Sequence, residues 1–389
     1  MSGFQYFRNQ TTEILQSRAL QVYGALLSIS HCLTAYFWMD RSLALFSRQT
    51  DAPLCWPFLP NCEGLLFTSD ITASRAISYL AVLGGLSFVL FLLKKINWAY
   101  ALLTLTLFYK VYLTLTTYAV MGNYHYMLFF AHIFFLWIPH KKTLLPFLIA
   151  IFYWGAGILK LNPEWLSGEA LVRESFLPPL LQHLSLIYAV MLECILVFFL
   201  FSPNKKVRLF VLFQFLAFHI FSWHIVGYFY PLTMLLVLGI FYLNPLFKET
   251  WTATWDELRN LGFKSYSPLL VVLLLQIIPY FFTSDPSMGG VVRLSSLNML
   301  DAKIECSAQL IQSEELSTSI YDPFNRAPST RTQCDPIIFI NQIPRLCSHN
   351  DRLDFSLFSK RTTDSKYRVA LHIKDICSKS KAELFGAEL

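Results

Sequence analysis

The sequence contains little charge. Aspartate, glutamate, lysine and arginine make up 14% of the 389 residues, whereas soluble domains carry about 25%. Hydrophobic residues reach 55%, phenylalanine alone occurs 35 times, and the mean hydropathy is +0.46. A water-soluble core cannot absorb this much apolar surface. The composition therefore excludes an ordinary soluble protein and predicts an integral membrane protein.

Other features are also missing from the sequence. No block of like charges suggests a nucleic-acid-binding arm, and the net charge is only +6, so we expect no nucleic-acid partner. There is no internal repeat and no low-complexity tract. The first apolar run is longer than a signal-peptide core and is followed by Asp40 and Arg41, with no small-residue cleavage site. We expect this run to remain as the first span.

The apolar runs that are present suit membrane helices. A spanning helix needs about 20 residues, and most of the runs meet that length, although the fourth is short and the seventh adjoins the eighth. We predict a polytopic α-helical membrane protein of about 8–9 spans, in contact with membrane lipid. The runs cover residues 19–39, 76–93, 96–120, 126–138, 143–159, 184–201, 207–225, 226–247 and 267–282.

Basic residues mark every second connection between these runs. By the positive-inside rule, such connections face the cytoplasm. The N-terminus is then cytoplasmic, and an odd number of spans places the C-terminus in the periplasm or in a lumen. The basic residues are Arg8, Arg18, Lys94, Lys95, Lys141, Lys142, Lys205, Lys206, Arg208, Lys248, Arg259 and Lys264.

The cysteines agree with this orientation. Cys32 and Cys194 lie in apolar runs, whereas the other six lie in segments that the charge rule places outside. Disulfides persist in oxidising compartments such as the periplasm or the endoplasmic reticulum lumen. Cys55 and Cys62, at the ends of CWPFLPNC, are the best candidates for a local bridge, with separate free thiols as the alternative. The remaining external cysteines are Cys306, Cys334, Cys347 and Cys377.

After the last run the sequence becomes polar, with charges of both signs. The segments DPIIFINQIP and YRVALHIKDIC have strand-like composition, and YDPFNRAPSTR is typical of a loop. We predict a transmembrane domain over 1–282 and a small disulfide-bonded β-rich external domain at the C-terminus, over 283–389. A domain of about 100 residues is marginal alone, so disulfides or docking onto the membrane domain would help it fold.

Ionisable residues inside apolar runs are costly in lipid, and each is a candidate for function. Lys110 lies in the middle of a run and could pair with a carboxylate such as Glu193; we favour such a structural ion pair over catalysis. For His31 and His132 we favour a hydrogen bond to a neighbouring helix. The whole set is His31, Lys110, His125, His132, Lys160, Glu193, His219 and His224.

Two short segments place polar groups at the outer ends of spans. GNYHYM gathers Asn123, His125 and two tyrosines, which suits an aromatic belt and a site equally well. FYWGAGILKLNPEW ends the fifth span at Lys160, before Pro163, which stops the helix. On the residues alone we favour a lysine that snorkels to the interface. An outer lysine nevertheless departs from the positive-inside rule, and a desolvated lysine can act as a general base.

The segment FYWGAGILKLNPEWLSGEAL resembles the central motif of the vitamin K-dependent γ-carboxylase superfamily, which includes the bacterial proteins with a horizontally transferred transmembrane (HTTM) domain. NYHYM is similar to the Asn-x-His-x-Tyr element of that family, and FHIFSWHIVGYFYPLTML resembles its later histidine segment. The resemblance covers roughly residues 15–250. The residues that match the central motif are Gly157, Lys160, Leu161, Asn162, Trp165 and Gly168.

The resemblance implies an enzyme. In the carboxylases the equivalent lysine deprotonates a reduced naphthoquinone, oxygen adds, and an epoxide forms. The strong base so generated removes a proton from a substrate glutamate, which captures carbon dioxide. The resemblance therefore implies Lys160 as the base and His125 as its catalytic partner, a reduced quinone resembling vitamin K hydroquinone as cofactor, and no metal. The implied cofactor-binding residues are Asn123, Tyr126, Asn162, Trp165 and His219, with Asn162 and Trp165 shaping the turn that holds Lys160.

The chain departs from the family pattern in three places. Tyr124 stands where the carboxylases have a second asparagine. The spacing to Gly227 leaves His219, His224 or neither as the counterpart of the later histidine. The external domain is far smaller than the one that holds the substrate protein in the animal enzymes. We therefore expect quinol-dependent, carboxylase- or epoxidase-type lyase chemistry at the outer face, with an external peptide or small molecule as acceptor. The alternative is a non-enzymatic quinone- or lipid-binding protein, or a transporter, on the same fold.

Overall fold

The computed structural model describes residues 3–48, 54–171, 173, 175–282, 295–297, 304–312, 318–321, 334–342, 347 and 352–386. This part of the chain is mostly helical and carries a small antiparallel sheet near its C-terminal end. The α-helices are α1 Gly3–Leu15, α2 Arg18–Arg41, α3 Asp70–Leu92, α4 Ile96–Thr116, α5 Asn123–Trp137, α6 Lys141–Leu159, α7 Pro163–Ser167, α8 Pro179–Cys194, α9 Lys205–Val226, α10 Phe229–Val237, α11 Gly239–Leu246, α12 Trp255–Asn260, α13 Phe263–Ile277, α14 Pro279–Phe282, α15 Pro336–Gln342 and α16 Lys381–Gly386.

Five of these helical segments are long and apolar enough to cross a membrane: α3, α4, α6, α9 and Phe263–Phe281. Helices α10 and α11 meet at an angle of 47° and add a sixth span if they form one broken span. The prediction of a multi-pass helical membrane protein is thus confirmed. Helix α2 has 24 residues, but its serine, histidine and threonine side chains lower its hydropathy. Helices α5 and α8 have 15 and 16 residues, which is short for a span.

A large apolar core joins the helices of the bundle. Helix α2 packs along α3, and α6 lies among α5, α8 and α13. Helix α6 is the most enclosed of the candidate spans, because 78% of the residues in its apolar 18-residue stretch are buried. By contrast, only 28% of the corresponding stretch of α9 is buried, so α9 lies at the periphery of the bundle. Polar groups on α6 are therefore held by protein neighbours, whereas α9 presents apolar side chains outward.

The sheet contains four antiparallel strands in the order β2-β1-β3-β4. Strands β1 Ile304–Gln312 and β3 Leu353–Arg361 pair along their whole length, and β4 Arg368–Ile373 confirms the strand predicted in YRVALHIKDIC. Strand β2, Thr318–Tyr321, pairs with β1. The rest of the predicted loop after Tyr321 lies outside the described residues. Buried side chains of the sheet share one apolar cluster with Leu54 and Trp56, which lie before α3, and with Tyr118, which follows α4.

The segment DPIIFINQIP is helical, so the strand predicted there is wrong. Helix α15 begins with Pro336 and is capped by Asp335, whose Oδ1 accepts a hydrogen bond from the Ile337 amide at 3.1 Å. Proline is favoured at the first position of a helix because its missing N–H is not needed there. All seven residues of α15 are buried. A helix buried on every side has no amphipathic period, and its β-branched residues then resemble a strand.

Three disulfides join the six cysteines that lie outside the apolar runs: Cys55–Cys62, Cys306–Cys334 and Cys347–Cys377. The local bridge predicted across CWPFLPNC is thus confirmed. Cys32 and Cys194, both in helices of the bundle, are free thiols. One disulfide thus lies in the segment before α3. The other two join β1 and the segments around the sheet.

Candidate functional site

The turn between α6 and α7 places Lys160 at the centre of the site. Helix α6 ends at Leu159, and Lys160 is its C-cap residue. Asn162 caps α7 by accepting a hydrogen bond from the Trp165 amide at 2.9 Å. The Asn162 side-chain amide also donates to the Leu159 carbonyl at 2.8 Å. Pro163 occupies the first turn of α7, where its fixed φ favours the helix. Asn162 thus links both helices, and Trp165 lies one turn beyond Lys160.

Lys160 is turned into the protein. Its Nζ lies 2.5 Å from Oε2 of Glu193 on α8, and the two residues are 3% and 1% exposed. The rings of Trp165 and Phe218 lie 5.2 and 5.9 Å from the ammonium nitrogen, within the range of cation–π attraction. Lys160 therefore does not extend to solvent as an interfacial lysine would. It forms a buried ion pair that is covered by two aromatic rings.

Small residues on α6 allow this pair to form. A Cβ on Gly157 would lie 2.6 Å from Sγ of Cys194 and 3.0 Å from Cβ of Glu193. Any larger residue at position 157 would push α8 away from α6. Close approach through small residues is a common feature of packed membrane helices. Gly157 thus brings the backbone of Glu193 within reach of Lys160.

A second polar pair lies two helical turns before Lys160 on the same face of α6. The Tyr153 hydroxyl lies 2.6 Å from Nε2 of His219 on α9, and both residues are buried. Tyr153 is within electrostatic range of Glu193, and His219 is within range of Lys160. Among the described residues, Nδ1 of His219 has no hydrogen-bond partner. The two pairs form a continuous polar seam between α6, α8 and α9.

This seam borders a large cavity. The cavity has a volume of about 740 Å³ and is lined by α2, α5, α6, α8, α9 and α10. Lys160 and Trp165 form part of its wall, together with Asn123 and Tyr124 from the NYHYM segment. Most of the remaining wall is aromatic or aliphatic. The lining includes Phe37, Met127, Ala156, Leu186, Ala189, Phe218, Phe221, Ile225, Phe229 and Tyr230.

His125 lies behind the cavity wall. Its ring is packed against Trp38 at 5.1 Å, Tyr124 at 4.4 Å and Phe229 at 6.2 Å. The residue is 3% exposed, and within the described structure neither ring nitrogen has a hydrogen-bond partner. Tyr124 and Phe229 line the cavity, whereas His125 does not. The structure therefore separates the two predicted catalytic residues by a layer of aromatic rings.

On its other side His125 belongs to a buried basic cluster. The cluster comprises His31, Lys110, His125 and His132, which interact electrostatically. The rings of His31 and His132 lie 4.6 Å apart, and Lys110 Nζ is 3.3 Å from the Thr34 hydroxyl. The predicted pair between Lys110 and Glu193 is wrong, because Glu193 pairs with Lys160.

The hydrogen bond to a neighbouring helix that was predicted for His31 is wrong, whereas His132 interacts with the backbone of Leu27 on α2. His132 contacts the Leu128 carbonyl of its own helix at 2.6 Å, and His31 has no hydrogen-bond partner in the described part of the chain. His224 lies near the end of α9, with its ring nitrogens 2.6 Å from the Phe221 carbonyl and 3.3 Å from the Ser175 hydroxyl.

Tyr126 lies outside the cavity wall and joins neighbouring segments. Its hydroxyl accepts a hydrogen bond from the Gln276 side chain at 2.9 Å and donates to the Ser295 carbonyl at 2.8 Å. It thus ties α5 to α13. Of the seven residues that the sequence suggested, Lys160, Asn123 and Trp165 line the cavity. The other four do not line it: His125, Tyr126, Asn162 and His219.

The sheet reaches the edge of the site through Glu164. This residue is fully buried and accepts a hydrogen bond from the Thr362 hydroxyl at 3.1 Å, while Nη1 of Arg361 lies 3.9 Å away. Burial raises the pKa of Glu164, against the opposing effects of the Thr362 hydrogen bond and the Arg361 charge. Glu164 directly precedes Trp165. The turn after β3 therefore contacts the short helix that covers Lys160.

Comparison with protein-family models, with curated proteins and with solved structures finds no match to this chain. Among the described residues, no group of three histidine, cysteine, aspartate or glutamate side chains could hold a metal ion. The resemblance to the carboxylases thus stays a prediction. The chemistry of the site is best argued from the buried ion pair and the aromatic cavity beside it.

Proposed function

We propose that this protein is an integral membrane enzyme that resembles the vitamin K-dependent γ-carboxylases and deprotonates a reduced quinone. The observation that carries the proposal is the Lys160–Glu193 pair, which is buried on the wall of the aromatic cavity. Ionisable groups are rarely buried in membrane helices unless they serve a function or pair with each other. Here the pair does both: it satisfies its own charges and presents a proton acceptor to the cavity.

The cavity fits a flat aromatic quinol. Its volume of about 740 Å³ is within the usual range of roughly 300–1,000 Å³ for small-molecule sites. Rings of Phe37, Tyr124, Phe218 and Phe229 offer stacking surfaces. The wall also carries polar groups that can orient the quinol hydroxyls, among them Arg41, Arg173 and Gln214. A lipid-soluble quinol would reach such a site from the membrane.

The protein contributes proton transfer and the exclusion of water. Lys160 can accept a proton only after it passes its own ammonium proton to the Glu193 carboxylate. The pair, which carries no net charge, then gains one positive charge when the Lys160 amine takes the proton of a quinol hydroxyl. The rings of Trp165 and Phe218 stabilise that positive charge. Oxygen supplies the oxidant: each turnover consumes one quinol and one O₂ and yields one quinone epoxide and one water. Carbon dioxide enters only if the base formed in this oxidation removes a proton from an acceptor.

The same proposal includes the orientation of the chain. Helices α2, α5 and α8 and the broken α10–α11 segment would complete a bundle of about 8–9 spans. The Cys55–Cys62 loop and the sheet pack against each other, which supports placing both on the outer, oxidising side with the N-terminus in the cytoplasm. The acceptor, an external peptide or a small molecule, would then approach from the side of the sheet.

The test is epoxide formation by the full chain in detergent. The protein is supplied with a series of reduced naphthoquinones and benzoquinones and with oxygen, and the epoxide is quantified by mass spectrometry. We expect product from the wild type, none from Lys160→Ala, and unchanged product from Lys95→Ala, which alters an exposed lysine. Absence of epoxide from folded wild-type protein with every quinol would overturn the enzymatic proposal.

Non-enzymatic binding or transport is a second candidate. It is favoured by the 47° break between α10 and α11, because transporters often bind their substrates at broken helices. In that case the Lys160–Glu193 pair would only join α6 to α8. Quinone binding measured by quenching of tryptophan fluorescence, together with a lack of epoxide, would favour this candidate.

A further inference from the structure

We propose that a second cavity, at the N-terminal end of α9, binds the headgroup of an anionic phospholipid that carries a hydroxyl group. The cavity has a volume of about 250 Å³, enough for a headgroup but too small for a whole lipid. It lies at the opposite end of α9 from the Lys160 cavity, which α9 lines from Gln214 onward. Helix α9 has 22 residues and is therefore about 33 Å long.

Three cations line this cavity: Lys205 and Arg208 of α9, and Lys248 after α11. Arg208 is held in place because Nη1 donates to the Ser202 and Pro203 carbonyls at 2.7 and 3.0 Å. Its guanidinium also lies 5.1 Å from the Trp251 ring. Basic pockets between membrane helices are typical binding sites for acidic lipid headgroups.

The one carboxylate in the cavity wall does not cancel this charge. Glu249 accepts hydrogen bonds from the Ser17 hydroxyl at 2.6 Å and the Ala19 amide at 2.8 Å. It also pairs with Lys142 at 2.9 Å, and Lys142 does not line the cavity. The Glu249 charge is thus balanced outside the cavity. Lys205, Arg208 and Lys248 remain as a surplus of positive charge that suits a phosphate diester.

Asn244 indicates what the headgroup carries besides phosphate. It lines the cavity, is 1% exposed, and donates from Nδ2 to the Ile240 carbonyl at 3.2 Å. Its Oδ1 is buried and has no hydrogen-bond partner among the described residues. A buried acceptor is costly unless a donor reaches it. A headgroup hydroxyl supplies that donor, whereas a choline group does not.

The surroundings of the cavity favour a lipid over a soluble anion. Leu209 lines the cavity and is 40% exposed. On the same helix Phe210 and Phe213 are each 64% exposed and extend the apolar surface along the span. The acyl chains of a lipid can lie on this surface while its phosphate contacts the cations. A soluble phosphate would leave this adjoining surface unused.

The experiment measures lipid retention by the full chain with native mass spectrometry, using phosphatidylglycerol, phosphatidic acid and phosphatidylcholine. We expect phosphatidylglycerol to bind at least tenfold more tightly than phosphatidylcholine. Lys205→Gln and Lys248→Gln should each weaken phosphatidylglycerol binding about fivefold. Lys206→Gln is the matched control, because Lys206 is exposed on the same turn but does not line the cavity. Asn244→Leu should weaken phosphatidylglycerol binding more than that of phosphatidic acid, which lacks the hydroxylated group.

Three results would overturn the proposal. Equal binding of phosphatidylglycerol and phosphatidylcholine would show that charge is not recognised. An equal effect of Lys206→Gln and Lys205→Gln would show diffuse attraction in place of a site. Full displacement of phosphatidylglycerol by glycerol 3-phosphate at the same concentration would show that the cavity binds a soluble phosphate and gains nothing from the acyl chains.

Discussion

Nζ of Lys160 and Oε2 of Glu193 lie 2.5 Å apart between helices α6 and α8, and both side chains are almost completely buried. Removing one partner of a buried ion pair leaves an uncompensated charge, whereas removing both leaves none. Single and double variants at these positions therefore separate the contribution of the pair to stability from its contribution to chemistry.

We predict that Glu193→Gln destabilises the protein and abolishes epoxide formation. The loss of the carboxylate leaves the Lys160 ammonium buried without its counter-ion, which costs about 3–5 kcal/mol. Thermal unfolding in detergent and the epoxide assay measure the two effects. In the double variant Lys160→Met, Glu193→Leu, the unfolding temperature should recover while activity stays absent. A double variant that is active would remove both residues from the mechanism.

The hydrogen bond between Tyr153 and His219 provides a second prediction. Tyr153→Phe keeps the ring but leaves Nε2 of the buried His219 without its partner, and we expect a loss of about 1–3 kcal/mol in stability. Tyr79→Phe is the matched control, since Tyr79 is 63% exposed and should tolerate the change. Denaturant unfolding in detergent compares the two variants. Equal stability of both would mean that the Tyr153 hydroxyl contributes nothing to folding.

The raised pKa of Glu164 predicts how the stability of the folded protein changes with pH. Burial raises its pKa in the folded protein, so the folded state binds the proton more tightly than the unfolded state. This contribution to stability is fully present below the ordinary glutamate pKa of about 4.3. It is lost as pH rises through the raised value. Relative to Glu164→Gln, the wild type should therefore lose stability between pH 4 and neutral pH, as measured by its unfolding temperature.

Glu249 is the internal control for that experiment, because its pKa shift is opposite in direction to that of Glu164. Burial opposes its ionisation, but hydrogen bonds from Ser17, Ala19 and Lys142 outweigh that effect and lower its pKa. Its contribution is present above the ordinary pKa and is lost as pH falls. Relative to Glu249→Gln, the wild type should therefore lose stability toward acid. If the difference in unfolding temperature between wild type and variant changed with pH in the same direction for Glu164→Gln and Glu249→Gln, the two opposite pKa shifts would be contradicted.

Lys110 is expected to behave differently from Lys160. Its ammonium contacts a hydroxyl of Thr34, and the three other members of its cluster are imidazoles. Lys110→Met removes a costly buried charge and should raise the free energy of unfolding by about 1–3 kcal/mol. Thr106→Val, on the same helix, controls for a general gain from apolar substitution. If Lys110→Met is instead destabilising, the cluster contains a counter-charge that compensates the lysine.

The sequence allowed the membrane class and the disulfide-bonded segments to be predicted because both depend on composition. Long apolar runs form helices in lipid wherever their neighbours lie. The pairing of ionisable residues within the bundle, by contrast, does not follow from composition. Lys110, Lys160 and Glu193 were all recognisable as costly, but the correct pair depends on how each helix is rotated and which helices adjoin. The close contact at Gly157 decides this, and a single sequence does not show which helix makes that contact.

Some local features were readable but were outweighed by stronger patterns. Asp335 followed by Pro336 is a typical helix start, yet the run of isoleucines after it favoured a strand. Tyr153 and Lys160 are seven residues apart and so share a face of α6, a spacing that could have identified the polar seam. Contacts of Glu164 with Thr362 had no local sequence signal, because they join distant parts of the chain.

Glu164 and Thr362 are separated by 198 residues. During synthesis α7 therefore exists for about half of the translation of the chain without the turn that later fixes it. Contacts between such distant residues form late, because a long loop must close first. The cover over Lys160 is thus among the last parts of the protein to mature. A newly inserted bundle would hold the Lys160–Glu193 pair before α7 is fixed in place beside it, and the folding of the sheet would determine when the site is complete.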